Sequence, residues 1–251
     1  MGDERELIAK HLLDLYRKAD RGGYFLFSSF LGLNEQSVLK EIWGEVGRGC
    51  KLFGGAEGCE RVMARFGNED ECGYDAPFPI LTLKAEPVSP KFADKLTHRD
   101  VLGAIMNLGL ERDVIGDIVL RDNAAYIFVK EEMGDYLLTS LTRIKHTDVH
   151  LTTVTDMPEG ELYRTERRKI QLSGERIDAV VAKVFNLSRD DSLTLIKRGL
   201  VFRNGALVTS SSQTPKPLDR ISVRGHGRFI YIGYDSDTRK GKMNILVDLY
   251  V

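Results

Sequence analysis

The sequence predicts an α+β protein in three parts, and three patterns support this fold class. The N-terminal stretch spaces its apolar residues as helices do, and the middle of the chain alternates short apolar runs with helical patterns. The C-terminal stretch combines two short helical patterns with a hairpin signal. We therefore expect a helical or mixed N-terminal domain, a central β-α-β-β-α-β domain and a small C-terminal α/β domain. Their expected bounds are residues 1–75, 76–160 and 161–251.

The N-terminal part begins with an amphipathic helical pattern over residues 3–19, which a pair of glycines should end. Asn34, a favourable N-cap residue, predicts a second helix. Residues 51–61 predict a strand, a glycine-rich turn and then a short helix. The glycines lack the spacing of a phosphate-binding loop. We interpret them as a tight packing turn.

A polar stretch with glycine and proline, residues 67–79, predicts a domain junction before the central part. Thr97 is expected to cap the first helix of that part. The predicted central strands and helices, in order, are strand 80–83, helix 97–108, strands 117–120 and 125–129, helix 131–142 and strand 149–154. This order is the split β-α-β arrangement of ferredoxin-like and RNA-recognition folds.

Tyr126 and Phe128 alternate along a predicted central strand, so they can share one sheet face. An RNA-recognition motif carries exposed aromatic residues in a glycine-containing run at this place. Residues 124–129 lack that run. Core packing of both rings is therefore favoured over base stacking.

No motif for catalysis or metal binding stands out. The triplet from His98 to Asp100 is similar to a kinase catalytic loop, but a capping box with Thr97 explains it and no kinase glycine loop accompanies it. The five histidines lack metal-ligand spacing. The three cysteines are never as close as Cys-x-x-Cys and are expected to be free thiols. We expect no metal, no cofactor and no small-molecule substrate.

The near-neutral net charge of −1 conceals an asymmetry. Residues 164–251 hold 17 Lys and Arg against 9 Asp and Glu, a net charge of +8, and the remainder carries −9. A basic C-terminal part favours an anionic partner. The charged start of the chain lacks a secretory apolar segment, and no run is apolar enough to span a bilayer. We expect a cytoplasmic protein without a membrane partner.

The C-terminal part predicts two helices followed by a hairpin. Apolar residues from Ile177 onward recur at helical spacing, and Ser188 with Asp191 forms a capping-box pattern for the second helix. Gly199 suits the left-handed residue after that helix. The pair Asn204-Gly205 is a strong hairpin signal, and a closing strand follows at residues 219–225.

Five basic residues are placed to form a phosphate-binding face. Arg176 and Arg189 lie at the predicted helix starts, Lys197 and Arg198 at the end of the second helix, and Arg203 in the hairpin. Helix N-termini attract anions through unpaired N–H groups and the helix dipole. We expect Arg189 to contribute most. Two acids follow it in the sequence and oppose phosphate locally, so the expected affinity is moderate.

Four fragments of this part resemble the RNA-binding domain shared with the small-subunit ribosomal protein S-four. They are Arg176-Ile177-Asp178, Ser188-Arg189, residues 199–205 and Asp219-Arg220-Ile221. Leu218 stands where that family usually has glycine. The resemblance implies that this part binds RNA, and we expect the five basic residues to form its RNA-binding face.

Over nearly its full length the chain resembles the bacterial YlmH-type proteins. The residues that carry the resemblance lie in five stretches, 53–61, 98–103, 108–109, 116–118 and 222–229. The resemblance implies an RNA-binding central domain and a C-terminal S-four-like domain. It further implies a role on large ribosomal subunits carrying stalled peptidyl-tRNA, in quality control of translation, and a link to cell division.

Two function classes remain open at this point. The first is a non-catalytic RNA-binding protein of translation whose partners are structured rRNA or tRNA and the large ribosomal subunit. The second is an RNA-modifying enzyme, of the pseudouridine synthase or methyltransferase type, that uses the S-four-like domain as a substrate handle. The enzyme would need a catalytic aspartate or a cofactor-binding glycine loop, and residues 1–160 show no convincing example. The C-terminal part also shows few aromatic residues alternating with its basic ones, which favours folded RNA over free messenger RNA.

Overall fold

The computed structural model describes residues 2–155, 162–238 and 241–250. It divides into two compact units, Met1–Leu162 and Tyr163–Val251. Helices and strands occur in both units, which confirms the α+β class. The finer division of the first unit at residue 75 stays a prediction.

The helices of the described residues are short apart from the first. They are α1 Gly2–Gly22, α2 Leu33–Glu41, α3 Trp43–Val46, α4 Glu69–Cys72, α5 His98–Met106, α6 Gly134–Ser140, α7 Ile177–Val184 and α8 Arg189–Lys197. None of these helices is both long and apolar enough to cross a membrane.

The described strands build three antiparallel sheets. The strands are β1 Leu26–Phe27, β2 Cys50–Phe53, β3 Met63–Phe66, β4 Ile80–Pro87, β5 Ile115–Arg121, β6 Ala124–Lys130, β7 Arg143–Ile144, β8 Thr147–Val154, β9 Thr165–Leu172, β10 Val201–Arg203, β11 Ala206–Leu207, β12 Arg220–Val223, β13 Gly227–Asp237 and β14 Met243–Tyr250. The sheet orders are β1-β3-β2, β5-β6-β4-β8-β7 and β11-β10-β12-β13-β14-β9.

Two local expectations for the N-terminal part are wrong. Helix α2 starts at Leu33, two residues earlier than an N-cap at Asn34 implies, with Gly32 in extended conformation as its N-cap. Asn34 lies inside the helix, and its side-chain oxygen accepts a hydrogen bond from Arg5 at 3.1 Å. The chain also forms no helix directly after the glycine-rich turn. It enters β3, because Arg61 donates to the carbonyl oxygens of Phe30 and Ile115 and holds this stretch extended.

The glycine-rich turn is a packing turn, as expected. A Cβ on Gly54 would collide with Cys59, and a Cβ on Gly55 would collide with the ring of Phe128. Gly55 also has a positive φ of +103°, a backbone conformation that residues other than glycine rarely adopt. The glycines therefore allow the turn to lie directly on the central sheet.

The central sheet has the strand order of a ferredoxin-like fold, with β7 added at one edge. Thr97 and Asp100 form the expected capping box at the start of α5. Helices α5 and α6 cover one sheet face. On the opposite face, Tyr126 and Phe128 are buried in a cluster that includes Phe30. Core packing of both rings is confirmed, and the N-terminal part supplies the cover.

The C-terminal unit matches its expected helices and hairpin but contains more strands than predicted. Asn204 and Gly205 adopt positive φ values of 50° and 81° at the hairpin turn, as expected. Strands β9, β13 and β14 were not predicted, and they extend the sheet to six strands. Their inward-facing residues join α7 and α8 in one core cluster. The core of this unit therefore includes side chains from strands that no sequence pattern had indicated.

Candidate nucleic-acid interface

A buried carboxylate joins the starts of the two C-terminal helices. Asp178 lies in the first turn of α7 with 0% of its side chain exposed. Arg176 donates to it through Nε at 3.1 Å, and Arg189 donates through Nη2 at 2.6 Å. The two arginine side chains are 51% and 50% exposed. Asp178 therefore holds two guanidinium groups side by side at the surface.

Hydrogen bonds and a turn within residues 178–192 fix the contact between α7 and α8. The Ser188 hydroxyl and the Asp191 carboxylate form the capping box predicted for α8. One turn further along, the buried Ser192 hydroxyl donates to the backbone oxygen of Asp178 at 2.8 Å. Asn186 has a φ of 53° in the turn between the helices. These contacts place the start of α8 against the start of α7.

The capping box changes the expected role of the α8 N-terminus. The backbone N–H of Asp191 already donates to the Ser188 hydroxyl at 3.0 Å. That N–H is satisfied, and the Asp191 carboxylate adds negative charge beside the helix end. A phosphate at this place would thus depend on the guanidinium groups of Arg176 and Arg189 more than on the helix end itself.

The other three predicted residues do not join this pair. Lys197 and Arg198 are exposed at the far end of α8, about 13 Å along the helix from Arg189. Arg203 lies on β10, where its Nε is 3.7 Å from Asp219. These three residues stay predicted contacts. Sequence reasoning had not identified the organising role of Asp178, although an acid two residues after Arg176 at a helix start was a visible signal.

The thiols of Cys50 and Cys59 are poorly suited to bind metal or to act as nucleophiles. Burial raises the pKa of Cys50 to about 12. Burial, followed by the nearby charge of Asp117, raises the pKa of Cys59 to about 12 as well. Both thiols are thus protonated at neutral pH, whereas metals bind the thiolate. Within the described residues, no three His, Cys, Asp or Glu side chains are grouped so that they could hold a metal.

We accordingly predict that folding of this protein needs no zinc. Elemental analysis of pure, untagged protein should find substoichiometric zinc, and treatment with a chelator should leave the circular dichroism spectrum and the melting temperature unchanged. Stoichiometric zinc that resists dialysis, or a lower melting temperature after chelation, would contradict the prediction.

Comparison with known proteins places the chain in a family. Residues 81–157 match the family model described as "Putative RNA-binding domain in YlmH". Over 223 residues the chain is 30% identical to the "Ribosome-associated protein quality control protein P2" of Bacillus subtilis (strain 168), an alignment that covers 87% of this chain and 84% of that protein. The chain belongs to the YlmH family. A solved structure of the YlmH cell division protein from Streptococcus pneumoniae is 21% identical, with a TM-score of 0.47, and the match covers 60% of this chain and 91% of that one.

The family model matches the central sheet of this YlmH-family protein but does not extend to the arginine pair. The matched segment, residues 81–157, contains nearly all of the central sheet and its two helices. The pair Arg176 and Arg189 lies outside it, in the C-terminal unit. The family model therefore describes the central sheet, and the arginine pair is a second candidate for contact with nucleic acid.

Proposed function

We propose that this YlmH-family protein binds structured RNA on a ribosomal particle, without catalysing a reaction on it. The observation that carries the proposal is the buried Asp178 between Arg176 and Arg189. Two half-exposed guanidinium groups in a fixed arrangement suit the fixed phosphate positions of folded RNA. The net charge of +8 on residues 164–251 supports the same kind of partner.

The family narrows the proposed target to the ribosome. The Bacillus subtilis relative is named as a ribosome-associated quality control protein, and the family model names a putative RNA-binding domain. We propose rRNA or tRNA of the large subunit carrying a stalled peptidyl-tRNA as the site. A link to cell division is a further part of the hypothesis.

The charge of the remaining chain favours a surface made of both RNA and protein. Residues 1–163 carry a net charge of −9, which would repel bare RNA. In the central sheet, Tyr126 and Phe128 are buried beneath Phe30 and Met63. Any RNA contact made by residues 81–157 would therefore use a surface other than this sheet face.

Sedimentation of a bacterial lysate through a sucrose gradient tests the proposal. The intact protein should migrate with large subunits, and the association should weaken as salt is raised. The double variant Arg176→Ala/Arg189→Ala should remain at the top of the gradient. Lys10→Ala removes an exposed charge from α1, outside the segment matched by the family model, and is the matched control. If the intact protein fails to migrate with ribosomal particles at low salt, with stalled complexes present, the ribosomal target is wrong.

The salt dependence of binding tests the role of Arg189 separately. Arg189→Ala should weaken binding to a structured RNA and lower the slope of log affinity against log salt by about one unit, because one phosphate contact is lost. Filter binding over a range of salt concentrations measures both quantities. Lys183→Ala, at an exposed position of α7, is the control. An unchanged affinity and slope for Arg189→Ala would remove this residue from the interface.

The proposed lack of catalysis has its own test. The protein is incubated with ribosomal RNA and a radiolabelled methyl donor, and the RNA is then analysed for methyl groups and for pseudouridine. We expect no modification above the level without protein. Multiple turnovers in either assay would favour the RNA-modifying enzyme instead.

A further inference from the structure

The six-stranded sheet of the C-terminal unit has two unlike faces. Helices α7 and α8 pack with the inward side chains, such as Val201, Val223 and Phe229, in one core cluster. Because successive side chains of a strand point to opposite faces, every second side chain points away from these helices. Within residues 163–238 and 241–250, no helix lies on that side. We call it the outer sheet face and define it by Phe202, Ser222, Arg224, Arg228, Ile230 and Tyr250, all of which are at least partly exposed.

Strand register places three of these residues in one row across the sheet, and a ring contact adds a fourth. Phe202 of β10 pairs with Ser222 of β12, and Ser222 pairs with Arg228 of β13. The guanidinium carbon of Arg228 then lies 4.2 Å from the ring centroid of Tyr250 on β14. The row thus crosses four strands, and its two aromatic ends are about 14 Å apart.

Each aromatic end of the row carries an arginine on its ring. The guanidinium carbon of Arg224 lies 4.9 Å from the Phe202 centroid, and that of Arg228 lies 5.2 Å from the Tyr163 centroid in addition to its contact with Tyr250. Tyr163 and Tyr250 are themselves in edge contact, with centroids 5.6 Å apart. Aromatic rings and guanidinium planes are the surfaces on which unpaired bases stack.

The basic side chains of the outer sheet face have different partners at its two ends. On β9, Arg167 is held by Asp248 through two hydrogen bonds of 2.7 and 2.8 Å, and Lys169 lies 2.7 Å from Asp235. These basic groups are neutralised by neighbouring acids. The exposed Arg224 instead contacts an aromatic ring, at the opposite end of the row. Arg224 and Arg228 thus lie beside the aromatic rings at the two ends of the row.

We propose that the outer sheet face binds a short single-stranded segment of RNA, whose bases stack at the Phe202 and Tyr250 ends. The arginines on these rings would extend the stacks and contact the phosphates between them. A span of about 14 Å exceeds one nucleotide, so the segment includes at least two. The unit's net charge of +8 opposes a second copy of the same face and favours an anionic strand.

This site lies beyond the proposed function and does not depend on a ribosomal target. Arg176 and Arg189 lie at the starts of α7 and α8, on the helix side of the sheet, and the outer sheet face is on the other side. Few aromatic residues alternate with the basic ones along the sequence, but the fold brings the two kinds together on this face. Phe202, Tyr163 and Tyr250 are far apart in sequence, and only strand pairing brings them beside Arg224 and Arg228.

Fluorescence anisotropy with the full-length protein tests the site, using two labelled probes. One is a short oligouridylate, and the other is a blunt RNA hairpin without single-stranded flanks. Phe202→Leu and Tyr250→Leu remove the rings and keep apolar side chains. Each should weaken oligouridylate binding roughly tenfold and change hairpin binding less than about twofold, since stacking serves unpaired bases. Phe202→Tyr and Tyr250→Phe keep the rings and should keep the affinity.

The arms of the experiment separate this site from the arginine pair. Arg189→Ala should weaken hairpin binding more than oligouridylate binding, the reverse of the ring variants. Ultraviolet crosslinking of the oligouridylate should label peptides that contain Phe202 or Tyr250. Unchanged oligouridylate affinity in both leucine variants would overturn the proposal, and so would an equal loss for the two probes. Light scattering that shows a dimer dispersed by Phe202→Leu would identify a contact between copies, which also overturns it.

Discussion

Asp178→Ala is expected to weaken binding to structured RNA about tenfold, although the change makes the protein more positive. The carboxylate is fully buried and accepts hydrogen bonds from both Arg176 and Arg189. Without it, both side chains must be ordered when RNA binds, at about 0.5–1.5 kcal/mol each. Removing one negative charge also strengthens the attraction between the site and phosphate. The ordering cost of two side chains is the larger effect, so the affinity falls.

The same variant should also lower the stability of the C-terminal unit by about 2 kcal/mol. Loss of one member of a buried ion pair leaves charge without its partner, but half of each guanidinium group reaches water, which limits the cost. The affinity and the thermal unfolding of the full-length protein give the two numbers. Asp178→Asn retains the shape and one acceptor, and it should lose less in both. An affinity that rises in Asp178→Ala would show that the carboxylate only neutralises the surface.

Asp117→Ala is expected to destabilise the first unit by about 3 kcal/mol. The carboxylate of Asp117 accepts hydrogen bonds from the backbone N–H groups of Glu60 and Arg61, at 2.5 and 3.2 Å. Glu60 and Asp117 are both buried. Each donor that loses its partner in the interior costs about 1–3 kcal/mol. This contact holds the end of the glycine-rich turn to β5.

The chain's single tryptophan makes this measurement selective. Trp43 belongs to the first unit, so its fluorescence during urea unfolding reports on that unit. Asp117→Asn can still accept one hydrogen bond and should lose about half as much stability. Asp14→Ala, at an exposed position of α1 in the same unit, is a surface control. A loss below about 1 kcal/mol in Asp117→Ala would mean that the two N–H groups find other acceptors.

Sequence predicted those parts of the fold that depend on residues close together in the chain. The capping boxes of Thr97 with Asp100 and of Ser188 with Asp191 each involve residues three apart. The hairpin turn at Asn204 and Gly205 likewise depends on two neighbours. For the site, the sequence indicated that Arg176 and Arg189 would lie at helix starts, because those starts carry local signals.

The features that the sequence did not predict depend on contacts between residues far apart in the chain. Asn34 has the chemistry of an N-cap, but Arg5 from another helix takes its side-chain oxygen. The convergence of Arg176 and Arg189 on Asp178 requires the packing of α7 against α8. The outer sheet face requires the register of four strands, which no local pattern specifies.

The cover over the central sheet imposes an order on folding during synthesis. Phe30 and Met63 leave the translating ribosome well before Phe128, the ring they pack against. Until β6 has been made, this apolar cluster has no partner and stays open to chaperones or to misassembly. The separate cluster that includes Leu12 and Phe66 can pack earlier, whereas the cluster around Phe30 waits for a strand encoded roughly a hundred codons later.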